Sequence, residues 1–287
     1  MMRPYAYLQL TRPANVATAL ADVLAGYAIA GFGHRRMLLW LLVSTACLYA
    51  GGVVLNDFFD RALDRVERPE RPIPSGQVSA AAAGSLGAVL LLAGIAAAFM
   101  ANPVAGVVGC AIAALVVLYD AWGKHRALFG PVNMGSCRAL NLLLGVAAVP
   151  AALSAAWPIA LLPLIYITAV TAVSRGEVLG GTREVAAFAL ISLSLVLSAL
   201  VGLGAVAASW VGVLLTAALA LRVAPPFWAV YHEPSPPRIR RAIRTGVLSL
   251  VLLDAVIGAI YAGPTYSAII LATGVIAFSL AKVFAVT

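Results

Sequence analysis

Asp57, Asp60 and Asp64 stand at i, i+3 and i+7 in the stretch "NDFFDRALDRVERPERPIPSG". On a helix that spacing stacks three carboxylates on one face, with Asn56 beside them. Like charges so placed repel one another, and the face persists only where something cationic neutralises it. Arg61 and Arg68, each four residues after one of these acids, can supply part of that charge. A hard divalent cation supplies it better, because Mg2+ is held by one or two carboxylates together with substrate phosphates and keeps several waters. Prolines at 69, 72 and 74 end the helix. The outcome is a carboxylate face beside an arginine-bearing loop. That pairing suits a metal–diphosphate, with carboxylates on the cation and guanidinium forks on the phosphate oxygens. A solvated helix end held by i, i+4 ion pairs is the competing reading of the same residues.

The elements that must hold this face are apolar. The chain has 287 residues, 63% hydrophobic and 10% charged, against roughly 25% charged in a soluble domain. Mean hydropathy is +1.00. Apolar runs cover 13–32, 37–58, 79–100, 103–119, 136–154, 158–174, 185–207, 209–229, 245–262 and 266–285. Each is long enough for a hydrocarbon core of about 30 Å. The expected fold is all-α, a polytopic membrane bundle of nine to ten spans forming one domain over 1–287, with the first span retained. The acid face then closes the second span at a membrane boundary. Cys47, Cys110 and Cys137 are scattered singly, without metal-like spacing.

The net charge of +8 raises nucleic acid as a partner, but its distribution argues against that. Arginine and lysine fall near the N-terminus and in four loops, at 61–71, 124–126, 175–183 and 238–244, leaving Arg35 and Arg36 alone on the other side. With the N-terminus cytoplasmic, this is the positive-inside pattern of a bacterial-style inner membrane, attracting anionic headgroups. Nine of the eleven acids also lie near the cytoplasmic ends. Carboxylates do not set topology, so their clustering points to a site. Asp22 and Asp254 lie within spans, where an acid is by default a functional candidate.

The string N-D-x-x-D-x-x-x-D-x-x-x-R-P-x-R-P-I-P-S-G resembles the first aspartate-rich motif of the UbiA-type intramembrane prenyltransferases. "LTRPANVATALADVLAGYAIA" is similar to that family's first helix, and "LYDAWGKHRALFGPVNMGSCRALNLLLG" to its fourth helix, connecting loop and fifth helix. The resemblance implies a nine-span bundle around a central cavity and Mg2+-dependent transfer of a prenyl group from its diphosphate to an aromatic or lipid-like acceptor. It implies Asp57, Asp60 and Asp64, with Asn56 and Glu177, as the metal side. Arg68, Arg71, Lys124, Tyr119, Arg138, Asn141 and Arg175 fall on the diphosphate side. Asp60, Asp64, Lys124 and Glu177 are the expected catalytic set. Arg138 and Asn141, at i and i+3, either face the cavity or join helices.

The chain departs from the family at its second acidic motif, typically D-x-x-D-x-x-G-D-R. Here the segment reads "AVSRGEVLGGTRE": Glu177, Gly180 and Arg183 fit, while Ser174 and Gly181 replace acids. Glu177 with water completing one Mg2+ site, Arg175 standing in for a cation, and a non-catalytic protein that binds or transports a prenyl-type lipid are three readings of that loss. "SRGEVLGG" also resembles a divergent UbiA-like branch called EboC.

Overall fold

The computed structural model describes residues 3–280, 282 and 283. Among the described residues every regular element is helical: α1 (Arg3–Thr11), α2 (Pro13–Ile29), α3 (Arg35–Glu67), α4 (Ala80–Ala101), α5 (Pro103–Ala121), α6 (Phe129–Val146), α7 (Leu153–Ala156), α8 (Leu161–Ser174), α9 (Arg183–Val206), α10 (Trp210–His232), α11 (Pro236–Ala262) and α12 (Pro264–Leu280). Helix starts are written locally. The side chains of Ser79, Asn102, Thr182 and Ser209 accept the first free backbone N–H groups of α4, α5, α9 and α10. Proline opens α2, α5 and α11, where its missing N–H has no partner to lose.

Among the described residues seven segments are long and apolar enough to cross a membrane: α3, α4, α5, the run Pro150–Ser174, α9, α10 and α11. The expected nine to ten spans overstate this number. α2 and α12 have 17 residues each, and α6 carries Asn133, Arg138 and Asn141 along its 18. The run 136–154 is also displaced, because α6 already begins at Phe129 and ends at Val146, ahead of a turn and Pro150. Positions 281, 284 and 285 of the last run lie outside the described residues.

α3 packs along α4 and α5, while α2 is surrounded by α6, α11, α12 and α3. The α2–α6 approach depends on two glycines. A Cβ on Gly26 would lie 2.0 Å from the Leu142 carbonyl oxygen, and one on Gly145 2.2 Å from that of Val23. Two apolar cores result, one of α2, α6 and α8–α11 around Tyr166, Phe227 and Leu250, the other of α2–α6 around Leu41, Leu48 and Leu144. Between them lies a cavity of about 450 Å³ walled by α3, α5, α6, α8 and α11.

Candidate active site

α3 runs unbroken through 33 residues, so the acid face is the helical continuation of its apolar span. It ends at Glu67, ahead of the prolines. Each of the three aspartates meets a cation from beyond α3. Arg12 Nη2 reaches Asp57 Oδ1 at 2.6 Å, and Arg71 Nη1 bridges Asp57 Oδ1 at 3.2 Å and Asp64 Oδ2 at 2.9 Å. Lys124 Nζ lies 2.6 Å from Asp60 Oδ1, and Asn56 Nδ2 donates to Asp120 Oδ1 at 2.9 Å. The expected local partners are not the ones used. Arg61 donates to the Phe58 carbonyl and lies over its ring at 4.6 Å. Asp57 and Asp64 are buried, and their oxygens are already taken by Arg12 and Arg71.

Arg12 is the residue that sequence reasoning missed, having been counted with the topological charges. It sits between α1 and Pro13 with φ 43°, in the left-handed region that non-glycine residues seldom adopt. That bend aims its guanidinium across to α3. The only local signal is an Arg-Pro dipeptide ahead of an apolar span.

Asn56, Asp60, Asp64, Arg68, Arg71 and Glu177 line the cavity mouth, and Tyr119, Asp120 and Lys124 face it from α5 and the following turn. Asp57 instead lines an adjoining hollow of about 660 Å³, which shares Arg12, Glu67, Arg68, Arg71 and Glu177 with the cavity. Arg138 and Asn141 line the cavity's deep end with Thr45 and Tyr49. Tyr49 and Asp60 are eleven residues apart on α3, which puts the deep end about 16 Å from the mouth. Arg138 donates there to Asp22 Oδ2 at 2.8 Å, Thr18 Oγ1 at 3.0 Å and Tyr49 Oη at 3.3 Å. Asn141 Nδ2 donates to the same Asp22 oxygen at 2.8 Å, and its Oδ1 accepts from Thr45 at 2.6 Å. Asp254 packs against this group. The two intramembrane acids therefore meet at one buried network. Arg175 lines neither the cavity nor the hollow; its guanidinium donates to the carbonyls of Lys124 and Arg126.

A model of the UbiA prenyltransferase family matches residues 19–253. The chain belongs to that family. A digeranylgeranylglyceryl phosphate synthase of Methanoregula boonei is 35% identical over 165 residues, 58% of this chain and 57% of that protein. One of the same name from Ignicoccus hospitalis is 35% identical over 140 residues, 49% of this chain and 46% of that protein. The chain thus spans about half the length of the curated relatives it matches. A solved structure reported for a digeranylgeranylglyceryl phosphate synthase in membranes superposes with a TM-score of 0.68 at 21% identity, covering 91% of this chain and 99% of that one. A UbiA homolog from Archaeoglobus fulgidus bound to GPP and Mg2+ superposes with a TM-score of 0.55 at 18% identity, covering 96% and 99%. These likenesses establish the UbiA fold, an integral-membrane helical bundle.

Within this UbiA fold the donor chemistry at the mouth fits Mg2+. Asp60 and Asp64 offer hard oxygen donors on the cavity wall, with Glu177 on the segment after α8. Among the described residues no three acids, histidines or cysteines converge as a closed cage. An ion held there would use one or two carboxylates and complete its shell with phosphate and water.

Proposed function

We propose that this UbiA-family protein transfers a prenyl group from a prenyl diphosphate to an acceptor within the membrane. One observation carries the reading: a single cavity joins a mouth of paired carboxylates and cations to walls of Leu48, Val53, Ile112, Val116, Ile167 and Leu250. That is the division of a prenyl diphosphate into a charged head and an apolar tail.

The resting ion pairs prepare the mouth for this head. Lys124, Arg12 and Arg71 are already oriented by carboxylates, and Arg68 lines the same opening, so phosphate oxygens replace carboxylate oxygens around cations that need little reorganisation. As the allylic C–O bond breaks, its electron pair goes to the diphosphate, and the Lys124 ammonium and Arg71 guanidinium stabilise the charge left there. Mg2+, when bound by Asp60 and Asp64 with Glu177, supplies further positive charge at the departing diphosphate. The apolar walls keep water from the allylic cation until the acceptor's oxygen or carbon adds to it and releases a proton. The relatives are named for a prenylated glyceryl phosphate, which favours the lipid-like acceptor over the aromatic one. We place the mouth on the cytoplasmic side of a cell membrane, from the arginine distribution. The named relatives are archaeal and lend no support to a bacterial inner membrane in particular.

The test is incubation of purified protein with Mg2+, labelled geranyl to geranylgeranyl diphosphates, and a panel of lipid-alcohol and aromatic acceptors. Turnover that disappears in Asp60→Asn is the expected result. Ser174 and Gly181, in place of family acids, favour one rival: a protein that binds or transports a prenyl-type lipid without chemistry. Mg2+-dependent diphosphate binding with no acceptor ever modified would establish that rival.

A further inference from the structure

The segment standing in for the second acidic motif grips backbone, not phosphate. Arg175 Nη1 donates to the carbonyl oxygen of Lys124 at 3.1 Å and to that of Arg126 at 3.2 Å. Those carbonyls belong to the short 3-10 turn Gly123–His125 and its C-cap, the turn that carries Lys124 to within 2.6 Å of Asp60. The turn is anchored on its other side by Arg126, whose guanidinium lies 4.8 Å over the Trp122 ring. The 175–183 segment is in turn tied to the bundle. Arg240 on α11 donates to the Glu177 carbonyl at 3.3 Å, and Gly181 N–H donates to the Pro234 carbonyl at 2.9 Å.

We propose that Arg175 is a positioning residue for Lys124, acting through the turn and not on the substrate. This rests on the reading of Lys124 as a diphosphate-gripping group. One guanidinium nitrogen bridges both carbonyls, its two N–H bonds held in a fixed plane, whereas a lysine ammonium rotates freely on a flexible stem and holds the curvature between them less well. The arrangement accounts for a cation at this position whose side chain lies outside the cavity. It also gives the altered motif a task its lost acids do not: holding the mouth's single ammonium in register with α3.

Lys124 and Lys282 are the chain's only lysines, so amine labelling reports directly on the proposal. Purified protein in detergent is acetylated with a water-soluble active ester, and the Lys124 to Lys282 labelling ratio is read by peptide mass spectrometry. Lys282 is exposed, whereas Lys124 is shielded and paired. Arg175→Ala should raise the ratio about fivefold, the scale of losing one to two hydrogen bonds. Arg175→Lys should fall between, and added guanidinium should return Arg175→Ala towards the wild-type ratio. In the transfer assay the same variant should raise KM for the prenyl diphosphate more than it lowers kcat, with the melting temperature unchanged because Arg175 is exposed. An unchanged labelling ratio in Arg175→Ala overturns the proposal. A raised, guanidinium-reversible ratio in a protein that never turns over a prenyl diphosphate upholds the clasp and refutes the enzyme reading instead.

Discussion

Asp22→Asn removes the counter-charge of a guanidinium that is almost fully buried at the cavity's deep end. Asp22 is 0% exposed and Arg138 5% exposed, with 2.8 Å between them. The attraction within such a pair is largely offset by the desolvation of both ions, so its net worth is small; stripping one partner leaves a buried charge and costs about 3–5 kcal/mol. Thr18 and Tyr49 still accept from the guanidinium when Asp22 is gone and soften the loss. Asp22→Asn therefore belongs at the low end, about 3 kcal/mol, or roughly a hundredfold in the folding equilibrium. Arg138→Gln strands the Asp22 carboxylate, which is 0% exposed, where Asp22→Asn strands one cation, and should cost at least as much. The double variant leaves neither charge of the pair stranded, so the two losses should fall short of additive by about 2 kcal/mol. Reversible unfolding of the four proteins in mixed micelles, followed by circular dichroism against denaturant, measures the cycle. Additivity within about 0.5 kcal/mol would show that Asp22 and Arg138 are not one energetic unit, and the account of the cavity's deep end would fall with it.

Other expectations follow from the same contacts. Arg71→Lys keeps the charge that bridges Asp57 and Asp64 but loses the planar fork that can take two phosphate oxygens at once, so binding of prenyl diphosphate should weaken about tenfold in a competition assay. Gly145→Ala drives a methyl to 2.2 Å from the Val23 carbonyl oxygen; separating α2 from α6 should cost about 1–3 kcal/mol, seen as a lower melting temperature. Arg61→Ala, which loses a contact with Phe58 and nothing in the cavity, should leave transfer unchanged and shift stability by no more than about 1 kcal/mol. Chelation with EDTA should abolish transfer, and Mg2+ should restore it.

The acid face was legible because helical spacing and terminal prolines are local information: α3 carries Asp57, Asp60 and Asp64 and ends at Glu67 as the residues say. The partners of those acids were not. Local rules pair Asp57 with Arg61 and Asp64 with Arg68, but the buried carboxylates are taken by Arg12 and Arg71, which reach Asp57 from 45 and 14 residues away along the chain. The rule that an intramembrane acid is functional by default picked out Asp22 and Asp254 correctly as unusual. Their meeting with Arg138, 116 residues from Asp22, follows from a glycine-mediated contact between α2 and α6 that leaves no periodic trace. Span counting overshot for a related reason: apolar runs were counted whole, whereas α2 and α12 are only 17 residues long and α6 carries Asn133, Arg138 and Asn141 for the cavity.

The continuity of α3 carries an implication for how the chain can diverge. Thr45 and Tyr49 at the deep end and Asp60 and Asp64 at the mouth ride on one helix without an interruption to absorb an error. Inserting or deleting one residue between Tyr49 and Asn56 would rotate everything beyond it by about 100°, carrying the carboxylates from the cavity towards lipid. Descendants of this sequence can therefore substitute along α3 but not change its length there. Gains and losses of residues are confined to the turns that α3 feeds.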